Sequence, residues 1–126
     1  MTLLESKIYW AYEQELSQEK SWLKSIMGLF SFTPPLHAHE GKVSLSERSL
    51  EITGDENLSL PLRSIEEVYL GFDDVFPASS VKNFGLFWQP LRLRFNDEEV
   101  IYMITDYNGV KTNNQIWYET LKEILQ

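Results

Sequence analysis

The sequence predicts a mainly β fold with an α component. The expected form is a bent antiparallel sheet, or a partly open barrel, of six to seven strands. A C-terminal helix caps it, and an N-terminal helical segment precedes it. Three observations lead there. From Gly41 onward, apolar residues recur at every second position in short runs. Gly, Asn and Asp turns separate these runs at a spacing of roughly ten residues, as in sandwiches and barrels. Residues 112–125 then switch to a helical period with one apolar face.

Taken in order, residues 3–30 predict helix. Thr2 and Glu5 have capping-box spacing. Leu4, Ile8, Tyr12, Leu16, Leu23, Ile26, Met27 and Phe30 share one helical arc. Glu15 and Glu19 intrude on that arc, which allows a bend near Ser17 and two shorter helices; Gly28 is a stop signal. Such a helix packs on its own domain, or docks on a partner or a membrane. Membrane-surface helices carry Lys and Arg on the polar face, whereas Glu prevails here. Phe32 to Pro35 forms a linker, because two prolines stop the helix. The chain thus divides into residues 1–35, a helical segment with its linker, and residues 36–126, the strand-rich domain.

Val43 and Leu45 open the alternation, followed by Leu50 and Ile52 after a turn at Glu47 and Arg48. Gly54-Asp55-Glu56-Asn57 is a turn, since Gly and Asn tolerate left-handed backbone. Leu58, Leu60 and Leu62 alternate next, and Pro61 assigns that strand to an edge or a bulge. Val68, Leu70 and Phe72 form a further stripe, then Leu91, Leu93 and Phe95. Asn96 and Asp97 turn the chain into Val100, Tyr102 and Ile104. Thr112 and Gln115 make a second capping box before a face of Ile116, Trp117, Leu121, Ile124 and Leu125.

This arrangement resembles the pleckstrin-homology-like superfold, including its GRAM-type relatives. The resemblance spans Gly41 to Leu125. It rests on the opening hairpin GKVSLSERSLEIT (Gly41 to Thr53), on LSLPLRSIEEV (Leu58 to Val68), and on the capped helix with Trp117. The resemblance implies a binding module for lipid headgroups, peptides or proteins. Phosphoinositide-binding members place several cations around the first hairpin loop. Here that loop is Ser46-Glu47-Arg48-Ser49 with Lys42 nearby, and Glu47 stands where a second cation is expected. An anion site needs converging cations or backbone donors, so phosphoinositide binding is not carried over.

Composition narrows the function further. The 126 residues suit one domain, and the absence of cysteine excludes disulfides, thiolate metal sites and a thiol nucleophile. The net charge of −8, from 11 basic and 19 acidic residues, opposes nucleic acid and anionic lipid, and the cations are scattered. No basic leader or long apolar span is evident, so a cytoplasmic location is expected. Nucleotide-binding glycine loops and the nucleophile elbow are absent. His37 and His39, spaced to share a strand face beside Glu40, lack the further ligands that a metal site needs. Asp73 and Asp74 lead into a loop, and a divalent cation there lacks ligands as well. No catalytic residue, cofactor or metal site is therefore assigned.

The candidate interaction surface is the 75–90 loop, rich in apolar residues for a connection: Phe76, Phe84, Phe87 and Trp88, with Arg92 and Arg94 beside it. A simpler alternative makes Phe84 to Trp88 one more strand. Arg92 and Arg94 are expected on the solvent face, paired with Glu98 and Glu99 across the hairpin or receiving an acidic partner. The expected function is a noncatalytic protein-binding or scaffold domain with a protein partner or self-association. Its alternatives are a peripheral membrane module and a small-ligand carrier with a pocket between sheet and helix.

Overall fold

In the computed structural model, residues 2–16, 37–78 and 85–125 are described. Among the described residues, seven strands form one antiparallel sheet: β1 (Thr2–Tyr12), β2 (His39–Ser46), β3 (Ser49–Gly54), β4 (Leu58–Pro61), β5 (Ile65–Leu70), β6 (Leu91–Phe95) and β7 (Glu99–Thr105). The order across the sheet is β4-β3-β2-β1-β7-β6-β5. The sheet curls into a half-barrel, and the C-terminal helix, Asn114–Ile124, packs inside the curl.

The N-terminal expectation is corrected over residues 2–12, which form a strand rather than a helix. Leu4, Ile8 and Tyr12 are four apart, a spacing that fits two strand repeats as well as one helical turn. The residues between them decide the matter. Ile8 and Trp10 face the core, while Glu5 and Lys7 do not. Helical backbone begins only at residues 13–16. The rest of the expected helix, the Gly28 stop and the Phe32–Pro35 linker lie outside the described residues. β1 is integral to the sheet, paired with β2 through Leu4↔Leu45 and Trp10↔His39, and with β7 through Trp10↔Met103.

The other strands occupy most of the segments that alternation marked, but Leu62 falls in a short 3-10 turn after β4, Phe72 lies beyond the end of β5, and the Tyr102 and Ile104 stripe of β7 faces away from the main core. Val43, Leu45, Leu50, Ile52, Leu60, Leu91, Leu93, Phe95, Ile101 and Met103 all turn into one core with Trp10 and Trp117. Pro61 lies on the edge strand β4, where a missing N–H does no harm. Gly41 and Gly54 face each other where β2 and β3 approach most closely. A Cβ on Gly41 would run into the Thr53 backbone, and one on Gly54 into that of Glu40. Asn96 and Asp97 both take positive φ in the β6–β7 turn, a region these side chains tolerate.

The second capping box does not form. The helix starts at Asn114 with Asn113 as its N-cap, and Thr112 Oγ1 instead accepts the Asn114 N–H. The helical face is also narrower than expected, with Trp117 and Leu121 buried but Ile116 exposed. Trp117 Nε1 donates to Ser6 Oγ at 3.0 Å, fastening the helix to β1.

Asn114 is 1% exposed and uses its whole amide. Its Oδ1 accepts from the Thr105 N–H (2.9 Å) and the Thr105 hydroxyl (2.7 Å). Its Nδ2 donates to the carbonyls of Gln89 (2.7 Å) and Met103 (3.0 Å). One side chain thus joins β7, the loop before β6 and the helix start. Asn114→Ala strands these groups without water, and each buried unsatisfied group costs about 1–3 kcal/mol. The expected outcome is a loss of about 2–4 kcal/mol in urea unfolding with an unchanged slope.

Candidate functional site

The expected interaction surface divides when placed on the fold. Phe76 and Trp88 are buried, not presented to a partner. With Ala11, Leu16, Tyr102 and Ile104 they form a second core on the outer face of β1 and β7. Phe76 packs 5.8 Å from the Tyr102 ring and Trp88 packs 5.8 Å from the Tyr107 ring. β7 therefore has apolar cover on both faces: Ile101 and Met103 inside, Tyr102 and Ile104 outside. That is why the connection holds so many aromatic residues. Residues 85–90 are not a strand. Gly85 takes φ of +74°, and Pro90 lacks an N–H, so neither favours a ladder there. Phe84 lies outside the described residues. Phe87 does reach solvent, at 49% exposed, and its neighbour Leu86 is 74% exposed.

Arg92 and Arg94 find their partners on β5, not on the β6–β7 hairpin. Arg92 Nη2 donates to Glu67 Oε1 at 3.0 Å, and its Nη1 to Asp73 Oδ2 at 3.0 Å. Arg94 Nη1 donates to Glu66 Oε1 at 2.9 Å. On β5, Glu67 stands opposite Arg94, 4.0 Å from its Nε, and reaches Arg92 on the diagonal, whereas the facing residues on β7 are Tyr102 and Val100, which carry no charge. Neither arginine is left as a bare cation for an acidic partner.

Asp73 is the hub of this network. Its Oδ1 accepts the N–H groups of Val75 and Phe76, and its Oδ2 accepts the Tyr102 hydroxyl at 2.6 Å as well as Arg92. Burial alone would raise the Asp73 pKa. The hydrogen bonds from Tyr102, Phe76, Arg92 and Val75 outweigh it and hold the carboxyl below its ordinary value. Burial, then the bond to Asp73, pushes the Tyr102 phenol far up. These perturbed groups hold the aromatic loop on the sheet.

The two histidines separate. His37 precedes β2 and stacks on Tyr9 with ring centroids 4.3 Å apart. His39 starts β2 and packs against Trp10 at 4.7 Å. Tyr9 and Trp10 are neighbours in β1 and face opposite sides of the sheet, so the histidines do too. His39 instead meets acids the sequence did not connect with it. Its Nε2 lies 2.8 Å from Glu15 Oε2 and 3.0 Å from Glu56 Oε2, and its Nδ1 lies 3.7 Å from Asp55 Oδ2. Glu15 Oε1 also accepts the Tyr12 N–H at 2.8 Å. Burial first, then Glu56, Glu99 and Glu15, raises the Tyr12 phenol, a sign of negative potential at this end of the half-barrel. Strand alternation carries no signal for this cluster, because Glu15 follows β1 and Glu56 sits in the β3–β4 turn.

The space between sheet and helix is filled by Trp10, Trp117, Leu121 and their neighbours. A groove of ≈ 530 Å³ is instead open to solvent and lined by Lys7, Tyr9, Lys42, Thr53, Asp106 and Tyr107. No helix among the described residues is long and apolar enough to cross a membrane.

No protein-family model and no curated protein matches this sequence. Among solved structures, the C-terminal domain of an unknown protein from Leishmania infantum is similar, at 8% identity and a TM-score of 0.54. That match covers 100% of this chain and 85% of the other. At this identity the likeness concerns the fold alone.

Asp73→Asn tests the hub. The folded pKa is depressed, so the carboxylate stabilises the fold above its unfolded pKa and loses that effect as pH falls through the folded value. At pH 7 the substitution should lower stability by about 1–3 kcal/mol, through weaker charged hydrogen bonds. The gap between variant and parent should narrow as pH drops through and below about 4, measured by urea unfolding across a pH series.

Proposed function

We propose that this chain is a noncatalytic binding module of pleckstrin-homology-like form that docks a protein partner through the exposed tip at Leu86 and Phe87. The antiparallel sheet with its closing helix supports this reading, with one change to the resemblance: β1 precedes Gly41, so Gly41 to Thr53 falls in the second hairpin, β2–β3, not the opening one. The observation that carries the docking surface is the exposure of two adjacent large apolar side chains, Leu86 and Phe87. Beneath them Trp88 is buried in the second core, and the Gln89 carbonyl is held by Asn114. An apolar anchor whose neighbours are already packed and bonded loses less ordering entropy on docking than a free one.

Binding rather than catalysis is favoured by the use made of the perturbed groups. Asp73, Arg92 and Tyr102 bond one another, and Asp106 accepts from the Lys7 N–H and the Asn113 amide. A protein partner is favoured over anionic lipid or nucleic acid by the net charge of −8 and by the pairing of Arg92 and Arg94.

Replacing Leu86 and Phe87 together by Ser should leave the melting temperature within a few degrees of the parent, because both side chains are exposed. The double variant should lose partner binding by about tenfold or more in affinity capture and titration. Equal binding by variant and parent would overturn the proposal. Flotation on neutral and anionic vesicles that disappears in the same variant would move the tip from protein to membrane.

A further inference from the structure

Where β1 leaves the sheet, the protein's own groups leave charge unbalanced. His39 Nε2 lies 2.9 and 2.8 Å from Oε1 and Oε2 of Glu15, and 3.0 Å from Glu56 Oε2. That nitrogen carries at most one proton, so it cannot donate fully to three oxygens. Two carboxylates converge on it, and Asp55 stands 3.7 Å from the other ring nitrogen. Even a protonated imidazole leaves the group with a negative surplus. A neutral imidazole, the carboxylates of Glu15 and Glu56 and one dication balance, and Asp55 behind the ring adds one further negative charge.

The spacing suits a metal ion. One ligand atom from each of Glu15, His39 and Glu56 falls within 4.8 Å of the others. With bonds of roughly 2.1 Å, neighbouring ligand atoms stand roughly 3.0 Å apart around an octahedral dication such as Mn²⁺ and roughly 3.4 Å apart around tetrahedral Zn²⁺, so the cluster as it stands is nearer the octahedral edge. The imidazole-to-carboxylate separations of 2.8 and 3.0 Å fit that edge. The surroundings supply what such ligands need. The Tyr12 N–H fixes Glu15, and Asp55 faces the distal ring nitrogen of His39, the place of the outer carboxylate in many histidine metal sites.

A second observation lies beside the cluster. The ring of Trp10, fully buried, packs against His39, and its Nε1 donor has no acceptor among the described residues. A buried donor of this kind calls for an oxygen acceptor.

We propose that Glu15, His39 and Glu56 bind a divalent transition-metal cation, Zn²⁺ or Mn²⁺. The imidazole nitrogen favours these ions over Ca²⁺ and Mg²⁺, which take oxygen ligands. The three ligands come from the segment after β1, the start of β2 and the β3–β4 turn. The ion therefore clips together three chain segments at the open end of the half-barrel.

The full chain, stripped with chelator, is titrated with ZnCl₂ and separately with MnCl₂ by calorimetry, with melting curves alongside. Saturable one-to-one binding with a raised melting temperature is expected for at least one of the two ions. Glu56→Gln, at an exposed position, and His39→Gln should each weaken it at least about tenfold, since even outer partners of metal ligands are worth that much. The metal-free melting temperature of Glu56→Gln should stay close to the parent's, which separates lost ligation from lost folding. Absence of one-to-one binding by either ion would overturn the proposal, as would equal affinity in parent and Glu56→Gln.

Discussion

The buried amide of Asn114 is the constraint on which most of this architecture rests. A curled sheet and a helix are not joined by apolar packing alone, because packing permits sliding. Asn114 removes that freedom by bonding Thr105, Met103 and Gln89 together. Its oxygen continues the β7 backbone pattern into the helix start, and its nitrogen holds the loop that leads into β6. The Trp117 bond to Ser6 then sets the other end of the contact. Directional bonds fix the placement, and the core around Trp10 and Trp117 provides most of the driving force.

The outer face depends on the same placement. Once the Gln89 carbonyl is held, Trp88 and Phe76 settle against Tyr102 and Tyr107. Asp73 ties the near end of that connection through Tyr102 and Arg92. The half-barrel thus has an inner core under the helix and an outer core under the aromatic loop, with β1 and β7 between them.

Much of the sheet was legible because alternation is a strong signal when one face is buried. Val43 through Leu60, Leu91 through Phe95 and the turns at Gly54 and Asn96 all follow from it. β1 was not legible, because a four-residue apolar spacing fits strand and helix alike. The role of the loop was ambiguous for another reason. An apolar residue such as Trp88 looks the same in sequence whether it covers a sheet or meets a partner. The cluster at His39 was hidden by register, since only the pairing of Trp10 with His39 brings residues after β1 to the start of β2.

The position of β1 in the strand order also has a consequence for how the chain folds. β1 alone bridges β2–β4 on one side and β5–β7 on the other. Its second neighbour, β7, lies nearly the whole chain away, with Ile8 paired to Thr105. During synthesis β1 and β2 can pair early, but one edge of β1 stays unsatisfied until β7 has left the ribosome. Such distant closure makes for slow folding, and a waiting edge is open to pairing with other chains. The strand that unites the finished sheet is therefore also its most exposed part while the chain is incomplete.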